Sequence, residues 1–333
     1  MSTCAPPANP CEQALEQWCE RRLREADEAL NAEEGVRVAV AYSAGADSTA
    51  LLLAAHRRWP EHVVALHVHH GLQAAADGFE SHARDVCALH GIALQVSRVQ
   101  AAHRPGESPE AAARDKRYAT LASMALHEGA SFVLLGHHAD DQAETLLLAL
   151  SRGAGLPGLA SMAERFERHG VLFGRPLLGV ASATLRTWLQ SAGHPFVDDP
   201  TNTDVRYTRN RIRAVLMPAW EACFPGFRTQ LARSARHAAG AQTLLDDLAR
   251  LDLVGTGEPP AMAALQGLSR ERQANALRHW LRHSHGVVAS AAQLNELLDQ
   301  IADCRTRGHR IHLKVASGFV ERAGERLRYT PPI

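Results

Sequence analysis

The feature that most restricts the fold is a junction near the start of the chain. The run Val36-Arg37-Val38-Ala39-Val40-Ala41-Tyr42 has the composition of a strand, stops at Ser43-Ala44-Gly45-Ala46-Asp47-Ser48, and yields to a helix-like run from Thr49 to Arg58. Such a strand–loop–helix unit aims backbone N–H groups and a helix N-terminus at one point, a geometry suited to phosphate. Small side chains let anionic oxygens approach the backbone. The hydroxyls of Ser43 and Ser48 add donors, and Asp47 supplies a carboxylate able to hold a metal ion. No Gly-Lys-Ser/Thr follows, so this is not a Walker A loop. An alanine in the left-handed region costs about 1–2 kcal/mol, which predicts a negative φ for Ala44.

The first 200 residues repeat the junction's logic. Strand-like runs at Val36–Tyr42, Val63–His69, Ile92–Val99 and Phe132–Gly136 alternate with helical patterns at Thr49–Arg58, Asp77–His90, Pro109–His127 and Ala139–Arg152. That alternation predicts an α/β fold, a parallel sheet with helices on both faces. Ligands of such sheets bind at the carboxyl ends of the strands. Ser43, His69-His70-Gly71 and His137-His138 fall at those ends. Gly153 to Gly158 reads as a loop and Asp198-Asp199-Pro200-Thr201-Asn202 as a turn. Further on, helices are expected over Arg206–Leu216, Phe227–Leu251, Arg270–His283 and Ala291–Asp303. Gly255–Pro260 reads as a linker, and short strands are expected at Arg310–Val315, Gly318–Arg322 and Arg326–Thr330.

Four more clusters carry chemistry. In His137-His138-Ala139-Asp140-Asp141-Gln142-Ala143-Glu144-Thr145, helical spacing pairs Asp141 with Glu144 and Asp140 with Glu144. Carboxylates beside a phosphate site require an intervening cation, either Mg²⁺ or an amine. Acidic residues in a first helical turn also complement the helix dipole without further function. His67 and His69 share one strand face and suit a metal, yet no third ligand accompanies them. In Glu110 to Tyr118, Arg114 shares a helix face with Arg117 and with Tyr118, which fits either phosphate or a solvated surface. In Arg206-Tyr207-Thr208-Arg209-Asn210-Arg211-Ile212-Arg213, Arg206, Arg209 and Arg213 align beside an aromatic ring, as nucleic-acid contacts do.

Charge supports this reading only locally. The chain holds 36 Lys/Arg and 36 Asp/Glu, so the whole is neutral, but Ala261 to Ile333 carries eleven basic against six acidic residues. Six scattered cysteines with no Cys-x-x-Cys argue against a zinc or iron–sulfur centre built on that motif and fit reduced thiols in the cytoplasm. The apolar stretches are short and interrupted by charge, so no membrane span is expected. Met1 to Pro10 lacks a basic segment followed by an apolar core, so no secretory signal is expected.

The loop Ser43–Ser48 resembles the pyrophosphate loop of the N-type ATP pyrophosphatases, Ser-Gly-Gly-x-Asp-Ser, with Ala44 in place of a glycine. Joined to His67–Leu72 with Ala76-Asp77, Glu110–Tyr118, Gly136–Thr145 with Arg152-Gly153, and Asp199–Arg213, the pattern resembles the tRNA(Ile)-lysidine synthase family. The resemblance is strong over residues 35–215 and weaker over Leu268–Gln300. It implies that ATP adenylates the C2 oxygen of the wobble cytidine of a tRNA(Ile) with a CAU anticodon, and that free lysine then displaces AMP. It implies ATP binding by Ser43, Ala44, Gly45, Ala46, Asp47 and Ser48, with Mg²⁺ at Asp47. Asp141 and Glu144 would hold lysine. His137 and Arg117, with Arg114 next, would serve adenylation, and Arg206, Arg209, Arg211 and Arg213 would face phosphate or tRNA. The corresponding organisation is an N-terminal helix (1–34), a catalytic domain (35–220), a helical linker (221–254) and a smaller, mainly helical tRNA-binding domain (255–333). A cytoplasmic enzyme is expected, and a homodimer is compatible with the resemblance. The rival readings are a tRNA thiolation enzyme using the same ATP chemistry, an ATP-dependent amidating ligase, and a non-catalytic nucleotide- or RNA-binding protein. The acidic cluster favours an amine substrate over the first, and the basic helix and tail disfavour the second. Asp47 argues against the third.

Overall fold

The computed structural model describes residues 8–24, 36–69, 75–99, 109–199, 201, 204–304, 306 and 309–332. His70, Gly71, Leu72, Pro200 and Asn202, all named above, lie outside them, as do 1–7 and 25–35 of the expected N-terminal segment. The chain divides into two compact units between Arg236 and His237.

The first unit opens with α1 (Pro10–Arg24), followed by β1 (Val38–Ala41), α2 (Ala46–Arg58), β2 (Val63–His69), α3 (Ala75–His90), β3 (Ala93–Arg98), α4 (Pro109–His127), β4 (Phe132–Leu134) and α5 (Ala139–Ser151). A short α6 (Leu156–Leu159) leads into a hairpin of β5 (Arg165–Arg168) and β6 (Val171–Gly174), then α7 (Ser182–Ala192) and α8 (Thr208–Arg211). A π-helical turn (Ile212–Leu216) and α9 (Met217–Cys223) come next. The sheet order is β3-β2-β1-β4-β6-β5, parallel except for the antiparallel edge strand β5. The strands β1 and β4 are neighbours although three crossovers separate them in sequence. Here the winding reverses, and crevices at that point of an open sheet take ligands.

Strand periodicity explains the two-sided core. Val38 and Val40 of β1, Val63 and Ala65 of β2, and Phe132 and Leu134 of β4 point to one face, where Leu15, Trp18, Leu51, Leu52 and Leu185 cover them. Ala39, Val64, Leu66 and Val133 point to the other, where α4 supplies Tyr118, Leu121, Ala122 and Ala125. Each fully buried large apolar side chain contributes about 1.5–3 kcal/mol.

The hairpin and α7 are elements that the sequence reading did not assign. Arg165-Phe166-Glu167-Arg168 carries three charged residues around one aromatic, as suits an edge strand. His169 and Gly170 form the turn with φ of 51° and 72°, both positive, as a tight hairpin turn demands. Gly193 ends α7 in the left-handed conformation.

In the second unit lie the C-terminal part of α10 (Phe227–Thr256), then α11 (Met262–Gln266), α12 (Arg270–His285), α13 (Ala291–Asp303) and an antiparallel sheet of β7 (His312–Val315), β8 (Gly318–Ala323) and β9 (Arg326–Thr330). Gly255 and Thr256, expected in a linker, close α10 instead. Apolar side chains at helical spacing on α12 (Leu277, Trp280, Leu281) and α13 (Leu294, Leu297, Leu298, Ile301) meet Val315, Val320 and Leu327 from the sheet. Ser290 and Gln293 form a capping box that fixes where α13 begins. No described helix is long and apolar enough to cross a membrane.

Candidate active site

The β1–α2 loop folds back on itself through its hydroxyls. Ser43 Oγ lies 3.1 Å from Ser48 Oγ, which donates to Gly45 O at 3.0 Å, and Thr49 Oγ1 donates to the same carbonyl at 2.9 Å. Gly136, leaving β4, passes so close to α2 that a Cβ there would stand 3.1 Å from Ser48 N and 3.2 Å from the Asp47 carbonyl carbon. Glycine therefore lets the β4 exit lie against the first turn of α2. The expected negative φ of Ala44 is incorrect: its φ is 66°. The turn keeps the left-handed geometry usual for glycine because its surroundings secure it. Val197 N donates to Ala44 O at 3.0 Å, and the Ala44 methyl is fully buried in the core.

Asp47, in the first turn of α2, accepts from Ser182 Oγ at 2.9 Å and faces His138 Nε2 at 3.5 Å. Burial would raise its pKa, but the His138 and Ser182 hydrogen bonds and the charges of His138 and Arg186 prevail and hold it below the ordinary value. The ionised carboxylate and neighbouring hydroxyls are hard oxygen donors, so the residues present fit Mg²⁺.

His138 begins α5. Its backbone N–H donates to Asp141 Oδ2 at 3.1 Å, and its ring lies within 3.6 Å of carboxylate oxygens of Asp47, Asp140 and Asp141. Burial works against the imidazolium, yet the Asp47 hydrogen bond and the three negative charges outweigh it and raise the pKa to about 9. The contact from Asp141 N to Nδ1, 3.4 Å, is too long to reserve that nitrogen's lone pair. The sequence reading places His138 at a strand end and assigns it no role in the chemistry. The signal available in the sequence was its place just ahead of Asp140 and Asp141; Asp47 joins them only through the fold.

The carboxylates divide their work. Asp140 turns to α7, accepting from Ser182 N at 2.9 Å, and to Arg228 Nε at 2.5 Å. Asp141 Oδ1 accepts from Arg213 Nη2 at 2.9 Å, and Arg213 Nε donates to Glu144 Oε1. Glu144 is fully buried, its Oε2 accepts no hydrogen bond, and Arg209 Nη1 lies 3.6 Å from it. Burial raises the Glu144 pKa, and Arg213 opposes that shift without overcoming it.

On the other side of the β4–α5 turn lies a cationic pocket. Arg114 and Arg117 stand over the Tyr118 ring, with their guanidinium carbons 5.9 and 5.7 Å from its centroid. Arg175, 5% exposed, donates to Ala163 O at 2.9 Å and to Tyr118 Oη at 3.4 Å, and lies 4.2 Å over the Phe166 ring. Its Nε has no hydrogen-bond partner. A guanidinium remains charged even when buried. His137 Nδ1 is buried without a partner. Burial first, then the charges of Arg175, Arg117, Arg114 and His138, push its pKa down to about 3, so His137 is neutral. No motif in the chain marks Arg175, which directly follows the unassigned strand β6.

Of the four basic residues expected at phosphate or tRNA, the structure brings Arg209 and Arg213 to the acidic cluster. Arg206 precedes α8, outside the expected helical face, and pairs with Asp204 at 2.7 Å. Arg211 binds the carbonyls of Val205 and Arg206 and the Thr208 hydroxyl. His67 and His69 are engaged separately, His67 Nδ1 with Tyr42 O at 2.8 Å and His69 Nε2 with Asp77 at 3.2 Å.

Residues 17–220 match the family model for the PP-loop domain, and 261–328 match that for the TilS substrate binding domain. A tRNA(Ile)-lysidine synthase of Polaromonas naphthalenivorans (strain CJ2) is 59% identical over 91% of this chain and 92% of that protein. One from Bordetella bronchiseptica is 41% identical over 94% of each, and one from Burkholderia pseudomallei is 43% identical over 87% of this chain and 59% of that protein. Among solved structures, the U34-tRNA thiolase NcsA from Methanococcus maripaludis superposes with a TM-score of 0.52 at 16% identity, covering 71% of this chain and 85% of that one, a likeness of fold. With a pyrophosphate-loop sheet, a C-terminal substrate-binding unit and full-length relatives in agreement, the chain belongs to the tRNA(Ile)-lysidine synthase family.

Proposed function

We infer that the chain uses ATP to attach lysine to C2 of the wobble cytidine of tRNA(Ile) with a CAU anticodon. The observation carrying this reading is the division of charge at the β4–α5 turn, with an anion-accepting pocket around His137 and buried carboxylates beyond His138. Adenylation joins the cytidine C2 oxygen to the α-phosphorus of ATP and breaks the α–β bridge, releasing pyrophosphate. The Ser43–Ser48 loop and the α2 N-terminus receive the phosphates. Arg114, Arg117 and Arg175 stabilise the charge that develops, while neutral His137 offers a hydrogen bond without adding a cation. Asp47 would hold Mg²⁺, which when bound neutralises charge on pyrophosphate.

In the second step the lysine ε-nitrogen bonds to C2 and the C2–O bond breaks, releasing AMP. The amine must first shed a proton, and Glu144 is the acceptor, since burial inclines it to take one. In the free enzyme Arg213 pairs with Asp141 Oδ1 and Glu144 Oε1. Lysine binds there by substituting its ammonium for that guanidinium. A cavity of about 250 Å³ adjoins the start of α5, lined by Ala139, Ala181, Glu221, Arg228 and Arg236 among others, and presents both charges that a free amino acid carries. The basic excess between Ala261 and Ile333 is suited to tRNA phosphates. Cytoplasmic location follows from the substrate.

The test is incorporation of labelled lysine into unmodified tRNA(Ile) with a CAU anticodon, in wild type and Asp47→Ala. Incorporation that needs ATP and Mg²⁺ and is lost in the variant supports the reading. Pyrophosphate release without lysine incorporation would overturn it in favour of another nucleophile.

A further inference from the structure

We propose that Asp246, His279 and His283 form a binding site for a divalent transition-metal ion of the zinc type, joining α12 to the C-terminal part of α10. His279 and His283 are four residues apart on α12 and therefore share one face. Their rings lie 4.1 Å apart at an interplanar angle of 26°. Asp246 of α10 stands opposite them, and one ligand atom from each of the three residues falls within 4.8 Å of the others. Among the described residues this is the one such group of three.

The second observation is the state of His279. Its side chain is more than nine-tenths buried, and its Nδ1 has no hydrogen-bond partner. That nitrogen points at Asp246 Oδ1 from 3.6 Å, too far for a hydrogen bond. Two ligands of one tetrahedral ion with metal–ligand bonds of about 2.0–2.1 Å stand about 3.3 Å apart, so a small adjustment fits the His279–Asp246 pair to one ion. A buried polar atom left in this way ordinarily finds a partner, and a metal would be one. Gln242 Nε2 donates to Asp246 Oδ1 at 2.9 Å and orients the carboxylate, as outer-shell partners of metal ligands do.

The frame around the group is fixed without the ion. Asn275 of α12 donates to Leu245 O of α10 at 2.6 Å, and Arg272 pairs with the buried Asp252. The ligands thus sit on helices already fastened to each other, which favours a defined site over a fortuitous one. Two imidazoles with one carboxylate select zinc-like ions over Mg²⁺, which prefers all-oxygen surroundings. Three protein ligands leave a fourth position to water, and the ion's role is to clamp the two helices within His237–Ile333.

The experiment uses the untagged full chain, stripped with a chelator and dialysed. Zn²⁺ is titrated calorimetrically against a competing chelator, and Co²⁺ is followed by its visible spectrum. We expect one equivalent per chain with a tetrahedral Co²⁺ spectrum. His283→Gln, at an exposed position that does not endanger folding, should weaken binding by more than the roughly 10–100-fold typical of losing an outer-shell partner. Gln242→Ala should weaken it within that range. Equal affinity and stoichiometry in wild type, His283→Gln and Asp246→Asn would overturn the proposal, as would the absence of any bound equivalent in wild type.

Discussion

His137 and His138 are adjacent in sequence and opposite in state. One is held neutral, with its pKa near 3, among Arg114, Arg117 and Arg175. The other is held cationic, with its pKa near 9, among Asp47, Asp140 and Asp141. Burial alone would lower both. The difference comes from what each side of the β4–α5 turn collects: a cationic pocket built by α4 and β6, and an acidic one built by α2 and α5. Neighbours, and not residue type, assign the proton. On the function inferred above, the same turn would serve two steps with opposite needs, stabilising negative charge in adenylation and accepting a proton in amine transfer.

The firmest way to break this comparison is to disable one side and ask whether the other survives. In Glu144→Gln, lysine transfer should fall about 10²–10⁴-fold, the usual contribution of a general base, while tRNA-dependent pyrophosphate release persists. Equal loss of both steps would collapse the division of labour. Next in size is an effect on stability. Because His138 titrates at about 9 in the folded protein against 6.5 unfolded, its stabilisation is complete below about pH 6.5 and disappears as pH rises through 9. The full amount is on the order of 3 kcal/mol. Denaturant melts between pH 6 and 10 should show this loss in wild type and not in His138→Gln. An unchanged profile in both would mean His138 is neutral like its neighbour.

A smaller effect sharpens the other side. Replacing Arg175 with Met removes a buried cation and should raise the His137 pKa, as followed by NMR of the imidazole. No movement would assign the depression to burial and the remaining charges without Arg175. The smallest expected change is at Ala44. Glycine there relieves about 1–2 kcal/mol of left-handed strain. It forfeits about 0.8 kcal/mol of buried methyl and about 0.4–1 kcal/mol through a freer unfolded chain. Ala44→Gly should therefore melt within a few degrees of wild type, whereas the β-branched Ala44→Val should melt well below both.

What the sequence disclosed follows from how local each signal is. Strand β2 and helices α4 and α13 have the expected limits because apolar periodicity and capping residues act within a few positions. The positions of Asp47, His137, Asp141 and Glu144 around one sheet edge were likewise legible, since parallel strands place their carboxyl ends together. The edge hairpin was not, because a four-residue strand with three charged residues has no apolar alternation to see. Arg175 was lost with it. The sign of φ at Ala44 was misjudged because a propensity was weighed without the Val197 hydrogen bond, which sequence cannot place. Arg213 facing Glu144 across 69 positions is a tertiary fact of the same kind.

The π-helical turn Ile212–Leu216 carries a further consequence. An α-helix cannot lose a residue without rotating everything beyond it by about 100°. A π-helical turn already holds one residue more than the α-helical repeat requires. Shortening the chain there, at the exposed Val215 for example, would leave Arg209 in phase with Met217, which is anchored against Ala143 and Phe227. The segment is a length of slack set between a charged end and an apolar anchor, so the reach of Arg213 toward the carboxylates can change while both ends of the helix stay in place.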